Sequence, residues 1–241
     1  MSDWIAIGRE GADFVAFAMR DGVISGRSRG ADKAAALGGL PFQTSKTVGI
    51  GAGTPETVPC AVLPGNNKLP AITQDNPPDV LSPWLRLWIA GYLASHKNWD
   101  GVIWTLEPGI SHWTHVSADE IISFCGFLTP RLVAVLNGAD TACQTALTTT
   151  MSRPERLASH LHQADLSRDP HAITGHLLGA ELAATRPYWL GQRVALITSY
   201  GHALGYAAAL KSQGVPVHVH RVDEMLADGL KAFGNALKLT S

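Results

Sequence analysis

Short β-prone runs punctuated by glycine open the chain. Trp4 to Gly8, Phe14 to Ala18 and Val23 to Ser25 are separated by turns at Gly8, Gly11 and Gly22, which predicts a three-stranded meander. Ala31 to Leu37 predicts a helix, and Thr47 to Gly51 and Thr57 to Leu63 predict two more strands. Pro64 to Pro78 is rich in Pro, Gly, Asn and Asp and reads as a linker, dividing the chain into lobes of residues 1–78 and 79–241. Ser82 before Pro83 is an N-cap with proline at the first helical position, so a helix should run to about His96. Its Trp84, Leu85, Leu87, Trp88, Ile89, Tyr92 and Leu93 make it apolar almost all round, which suits a core helix or a subunit contact.

Gly101 to Thr105 then enters a turn at Pro108-Gly109, and a second short run leaves toward Ser117. This predicts a hairpin with Ser111, His112, Thr114 and His115 at its tip and Glu107 just before the turn. Such a tip suits an anionic or sugar-like ligand, and equally an ordinary turn facing water. Helical patterns follow at Pro130 to Leu136, Ala139 to Thr150 and Pro154 to Gln163, and Asp169-Pro170 caps a longer helix to about Thr185. A buried strand to Thr198, a turn at Ser199 to His202, a helix from Ala203 ended by Gly214, a strand Val215 to Val222 and a last helix capped by Asp223 form a βαβα unit. That order implies an α/β fold with a parallel sheet and a ligand position at the strands' carboxyl ends, near Thr198 to His202.

Composition narrows the partners. Of 241 residues, 46% are hydrophobic and 16% charged, and 19 basic against 20 acidic residues give a net charge of −1. With no run of either sign, neither nucleic acid nor an anionic membrane is an expected partner. The absence of a transmembrane-length apolar stretch or a signal sequence points to a cytoplasmic protein. Cys60, Cys125 and Cys143 are odd in number and lack CxxC spacing, which disfavours a disulfide framework or zinc knuckle. His160 and His162, and His171 and His176, diverge on their helices. Only His218 and His220 share a face, and with no HExxH no metal ligands are assigned. Gly8-Arg9-Glu10-Gly11 stands where nucleotide-binding folds place a phosphate loop, although an ordinary hairpin also needs only a glycine there.

The second half carries a resemblance. Gly175-His-Leu-Leu-Gly179-Ala-Glu181-Leu resembles the G-L-L-I-G-A-E helix of 2-keto-3-deoxygalactonate kinases, and the following strand, turn and Tyr206-containing helix resemble that family's adenosine-side unit. Asp228-Gly229-Leu230 lies in the matching last helix. Gln74 to Val80 resembles the segment before the family's R-G-E-E-T motif. Asp100-Gly101 and Pro108-Gly109 resemble the strand and loop of P-G-T-H-x-K-W, Phe124 and Thr129 fall in F-R-T-x-x-T-G-E, and Trp4 to Ile7 resembles the strand before D-W-G-S/T. The resemblance implies an actin-like, ribonuclease-H-like, two-lobed ATPase fold with a truncated N-terminal lobe. It also implies ATP and Mg²⁺ as cofactors of an active member, a sugar acid as substrate, and self-association as a dimer.

Several motif residues differ. The first-loop Asp falls at Gly8 and its Gly at Glu10, and the Arg and two Glu of R-G-E-E-T fall at Ser82, Trp84 and Leu85. The loop Lys is replaced by Trp113 or, with one residue inserted, Thr114. The T-G-E carboxylate falls at Arg131, and the adenosine-turn glycine at Ser199 beside Tyr200. On this resemblance Glu107, Ser111 and His112 are the candidate catalytic residues, and Gly8, Gly11, Gly109, Ser199 and Gly201 the candidate nucleotide-binding ones. Glu10, Asp13 and Glu107 are candidate substitute carboxylates. Phosphoryl transfer depends on metal, phosphate donors and a positioned hydroxyl, so their joint loss implies impaired kinase activity or a non-catalytic descendant that binds a sugar acid or a protein.

Overall fold

The computed structural model describes residues 3–199 and 203–240. In chain order the elements begin with β1 (Asp3–Glu10), β2 (Asp13–Arg20), β3 (Val23–Gly30), α1 (Lys33–Gly38) and β4 (Thr47–Ile50). Short strands β5 (Glu56–Thr57), β6 (Cys60–Ala61) and β7 (Lys68–Leu69) precede β8 (Ile72–Asp75), β9 (Pro78–Leu81) and α2 (Pro83–Ser95). Then come β10 (Gly101–Leu106), β11 (Ser111–Ser117), β12 (Glu120–Phe127), α3 (Thr129–Val135), α4 (Gln144–Ser152), α5 (Leu157–Leu166) and α6 (Pro170–Ala184). The chain ends with α7 (Arg186–Trp189), β13 (Val194–Thr198), α8 (Ala203–Lys211), β14 (Val217–Arg221) and α9 (Val222–Ala236). No helix among the described residues is long and apolar enough to cross a membrane.

Two compact units divide the chain. Unit 1 holds residues 1–99, 117–123 and 222–241, and unit 2 holds 100–116 and 124–221. Residue 78, the expected lobe boundary, lies inside unit 1. The Pro- and Asn-rich stretch there is a tight hairpin joining β8 to β9, with Asp75 paired to Pro78, so the turn chemistry closes a sheet instead of loosening a linker.

The sheet of unit 1 runs β3-β2-β1-β4-β7, with β1 antiparallel to β2 and parallel to β4. β1 is buried along most of its length because both of its faces are covered. Ile5, Ile7, Ala16 and Ala18 pack with Ala36 and Leu40 around α1. On the other side the Trp4 ring approaches Gly234 of α9, where an added Cβ would lie 2.7 Å from it. Ser82 caps α2 by accepting from Trp84 N at 3.2 Å. Residues 84 to 93 of α2 are all buried, so the helix is a core helix. Backbones of α2 and α9 touch: a Cβ on Gly91 would stand 1.9 Å from the Met225 carbonyl oxygen, and one on Gly229 2.1 Å from that of Leu87.

Arg86 organises the irregular stretch between β4 and β8. Its wholly buried guanidinium donates to the carbonyls of Val62 (2.7 Å), Ala61 (2.7 Å) and Pro70 (3.1 Å) and to Glu56 Oε2 (2.7 Å). A segment expected to hold one strand, Thr57 to Leu63, instead contains only the last residue of β5 and the two-residue β6, because its carbonyls serve this arginine more than a ladder.

In unit 2 the sheet order is β14-β13-β10-β11, followed by β12 from Phe124 onward. β10, β13 and β14 are parallel, as the βαβα reading required, and Gly214 ends the α8 region with φ +80°. β11 pairs antiparallel with β10. β12 was not foreseen; its Glu120 and Ile121 belong to unit 1 and pair with Ala61 and Cys60. Helices α4 and α6 pack through glycine, with a Cβ on Gly179 standing 2.4 Å from the Leu147 carbonyl oxygen.

Candidate functional site

In unit 1 the expected turn over Gly8 to Gly11 is shorter: Gly8, Arg9 and Glu10 are still in β1, paired with Val15, Phe14 and Asp13 of β2, and only Gly11, at φ +64°, and Ala12 turn the chain. The space beside Gly8 is filled. A Cβ there would lie 2.5 Å from the Ile50 carbonyl oxygen, 2.7 Å from Ile50 Cβ and 3.0 Å from the Trp84 ring. Trp84 is held in that place by its indole N–H, which donates to the Arg9 carbonyl at 2.7 Å, and by an edge contact with Phe17. Glu10 and Asp13, the candidate substitute carboxylates, both bond Arg29, Asp13 at 3.2 Å. Asp13 and Glu10 together hold the Arg29 guanidinium above its ordinary value.

In unit 2 the Pro108-Gly109 turn joins β10 to β11, and the Arg131 guanidinium lies 3.2 Å from where a Gly109 Cβ would stand. Ser111, His112 and Thr114, expected at an exposed hairpin tip, are instead buried within β11. Neighbouring β10 is buried at every position, so polar residues in β11 face protein on both sides of the sheet. His112 meets Phe124 edge-on at 6.3 Å. Glu107 lines a cavity of about 130 Å³ with Pro108, Asp140 and Tyr206. Ser199 is exposed just beyond β13, and Gly201 lies outside the described residues.

A buried carboxyl that sequence reading did not single out holds this region together. Glu181 of α6 accepts from Ser111 Oγ at 2.7 Å and from Trp113 Nε1 at 2.8 Å, both on Oε1. Complete burial pushes its pKa up, against the opposing pull of Thr129, Ser111, Trp113 and Trp104. The Trp104 ring stacks on Trp113 at 4.2 Å and tilts against Tyr206 at 5.6 Å. The Tyr206 hydroxyl is buried with no hydrogen-bond partner among the described residues, and burial, then the Glu181 charge, pushes its pKa up. The only advance signal was the place of Glu181 in the Gly175 to Leu182 motif.

Farther along unit 2, His160 and His176 meet across α5 and α6. Their rings stack at 5.0 Å, and each Nδ1 lies 2.8 Å from the Thr150 hydroxyl between them. Each diverges from the neighbouring histidine on its own helix, His162 and His171, as expected, but helix packing brings His160 and His176 together. Burial, then His160, lowers the His176 pKa. Among the described residues no group of three or more His, Cys, Asp or Glu side chains could hold a metal ion. Chemically, then, the unit 1 turn offers no free carboxylate to a cation, whereas the unit 2 turn presents a guanidinium to an anion.

Comparison with known proteins agrees with this architecture. A candidate 2-dehydro-3-deoxygalactonokinase from Sinorhizobium meliloti superposes with a TM-score of 0.80 at 18% identity, covering 97% of this chain and 99% of that one. Component A of (R)-2-hydroxyglutaryl-CoA dehydratase from Acidaminococcus fermentans gives a TM-score of 0.53 at 13% identity, covering 98% and 99%. The activator of 2-hydroxyisocaproyl-CoA dehydratase from Clostridium difficile, solved with ADPNP, gives 0.53 at 11%, covering 98% and 96%. No curated protein matches the sequence. The fold is that of the actin-like ATPases and sugar kinases. The family described as 2-keto-3-deoxy-galactonokinase matches residues 86–233, well over half of the chain, and the protein belongs to that family.

Proposed function

We propose that the protein is a sugar-acid-binding member of this family in which ATP-dependent phosphoryl transfer is lost or strongly reduced. The observation that carries this reading is the filled space at Gly8, beside carboxylates already engaged by Arg29. A kinase of this fold needs an anionic anchor for its metal, because positioning and charge neutralisation supply nearly all of the catalysis. Arg131 at the Pro108-Gly109 turn offers a planar cationic fork to an anionic group, a sugar-acid carboxylate among them, where a metal ion would find no ligand. Ser111 and His112 are too deeply buried to touch a ligand and act as positioning residues, Ser111 through Glu181. Glu107 faces the cavity directly.

The test incubates purified protein with ATP, Mg²⁺ and 2-keto-3-deoxygalactonate, alongside calorimetry with the sugar acid alone. Binding without ATP-dependent product is the expected result. Sustained turnover that needs Mg²⁺ would overturn the proposal. The unit 2 cavity lined by Glu107, Asp140 and Tyr206 favours a second reading, a kinase that places its metal there. Loss of such turnover in Glu107→Gln would support it. ATP and Mg²⁺ are cofactors only under that second reading, and a cytoplasmic setting suits both.

A further inference from the structure

Unit 1 contains a cavity of about 550 Å³, within the range of small-molecule sites. Its floor is apolar and made largely of small side chains, with Ala90, Leu93 and Ala94 from α2 facing Ala232 of α9. Helical spacing of three and four residues puts the α2 trio on one stripe, and Asp228, Lys231, Ala232 and Asn235 on one stripe of α9. Ala90 and Ala94 on α2 and Ala232 on α9 leave the space open.

The rim is charged. Lys97 and Lys231 supply two ammonium groups, and Asp119 and Asp228 two carboxylates, with the Asn235 amide beside them. Among the described residues none of these four charges joins an ion pair, either with one another or elsewhere. Charges that stay apart above a concave apolar floor hold a local field that a ligand can satisfy. The site is also distinct from the Gly8 turn. Trp84, which packs on Gly8, stands in the first turn of α2, and Ala94 is ten residues farther on, about 15 Å along the helix axis.

We infer that this cavity binds a small carboxylate that carries further hydrogen-bond donors on a short aliphatic body. Lys97 and Lys231 hold the carboxylate, Asp119 and Asp228 accept from its hydroxyl or ammonium groups, the Asn235 amide, whose oxygen accepts from the Thr240 hydroxyl, offers its N–H groups, and the aliphatic body lies over the alanines. A polyhydroxy acid and an amino acid share this chemistry. Neither depends on whether the protein transfers phosphate.

The experiment follows the ¹³C-methyl signals of Ala90, Ala94 and Ala232 in the full chain during titration with galactonate, 4-aminobutyrate and, as an uncharged control, galactitol. Saturable shifts are expected with one or both acids and none with galactitol, and the responding acid identifies the source. Lys97→Met and Lys231→Met should each weaken binding about tenfold, as expected for hydrogen bonds to a charged group, with the melting temperature unchanged. Arg131→Ala should leave this binding unaltered. No methyl response to either acid up to about 10 mM would overturn the inference. So would binding that survives both lysine substitutions, or that disappears with Arg131→Ala, which would assign it to unit 2.

Discussion

The Trp84 indole and a side chain on residue 8 exclude one another: the ring stops 3.0 Å from the position a Cβ on Gly8 would take, anchored by its 2.7 Å bond to the Arg9 carbonyl, with the Ile50 carbonyl oxygen nearer still at 2.5 Å. An aspartate cannot be restored there by substitution alone. Gly8→Asp should cost about 1–3 kcal/mol, the usual penalty for overpacking, and should gain no Mg²⁺ binding. Urea denaturation and calorimetry with Mg²⁺ check the two halves of that expectation. Trimming Trp84 to alanine in the Gly8→Asp background should lower stability further, since the Ile50 carbonyl oxygen still stands 2.5 Å from the added Cβ and the lost indole leaves a cavity that costs about 3–5 kcal/mol.

Arg86 should be intolerant of even conservative change. Arg86→Met leaves three backbone carbonyls and the Glu56 carboxylate, itself 35% exposed, without their donor, and each buried acceptor left unsatisfied costs about 1–3 kcal/mol. Arg86→Lys should recover little, since an ammonium lacks the planar fork that reaches several carbonyls at once. Hydrogen exchange should show residues 56–70 losing protection first.

Glu181 sets an alkaline limit. Its folded pKa lies above the ordinary value of 4.5, so the unfolded chain releases this proton first as pH rises. Its contribution to stability is therefore complete below about pH 4.5 and declines upward through the folded pKa. Glu181→Gln keeps an acceptor for Ser111 and Trp113 and carries no charge. It should be at least as stable as the parent at pH 7 and should flatten the stability profile above pH 4.5, read by denaturant midpoints across pH.

His176 acts in the opposite direction. Its folded pKa is lowered from 6.5, so acidification protonates the unfolded chain first and stability falls from about pH 6.5 downward through the folded value. The stacked ring of His160 opposes a second charge. Thr150→Val should cost about 1–3 kcal/mol by leaving both Nδ1 atoms without their shared hydroxyl. Imidazole NMR titration reads the His176 pKa directly.

The opening meander, the Ser82 and Asp169 caps, the α2 helix and the parallel βαβα end were legible because each rests on neighbours in sequence. Long-range relationships were not. Ser111 and Glu181 are seventy residues apart, and the polar residues of β11 read as a water-facing tip because nothing local reveals that both faces of that sheet are covered. β12 escaped notice because Ser123, Cys125 and Gly126 interrupt its apolar rhythm. At Gly8, the sequence shows a missing carboxylate, whereas only coordinates show that Ile50 and a tryptophan have taken its room.

The glycine contact of α2 with α9 also constrains how the molecule is made. Residues 1–99 leave the ribosome long before the partner that closes over Gly91, since that partner begins at Val222. Until α9 is synthesised, the face of α2 that it covers stays bare and residues 1–99 wait on it. A nonsense codon anywhere before α9 would therefore spoil the part of the protein synthesised first.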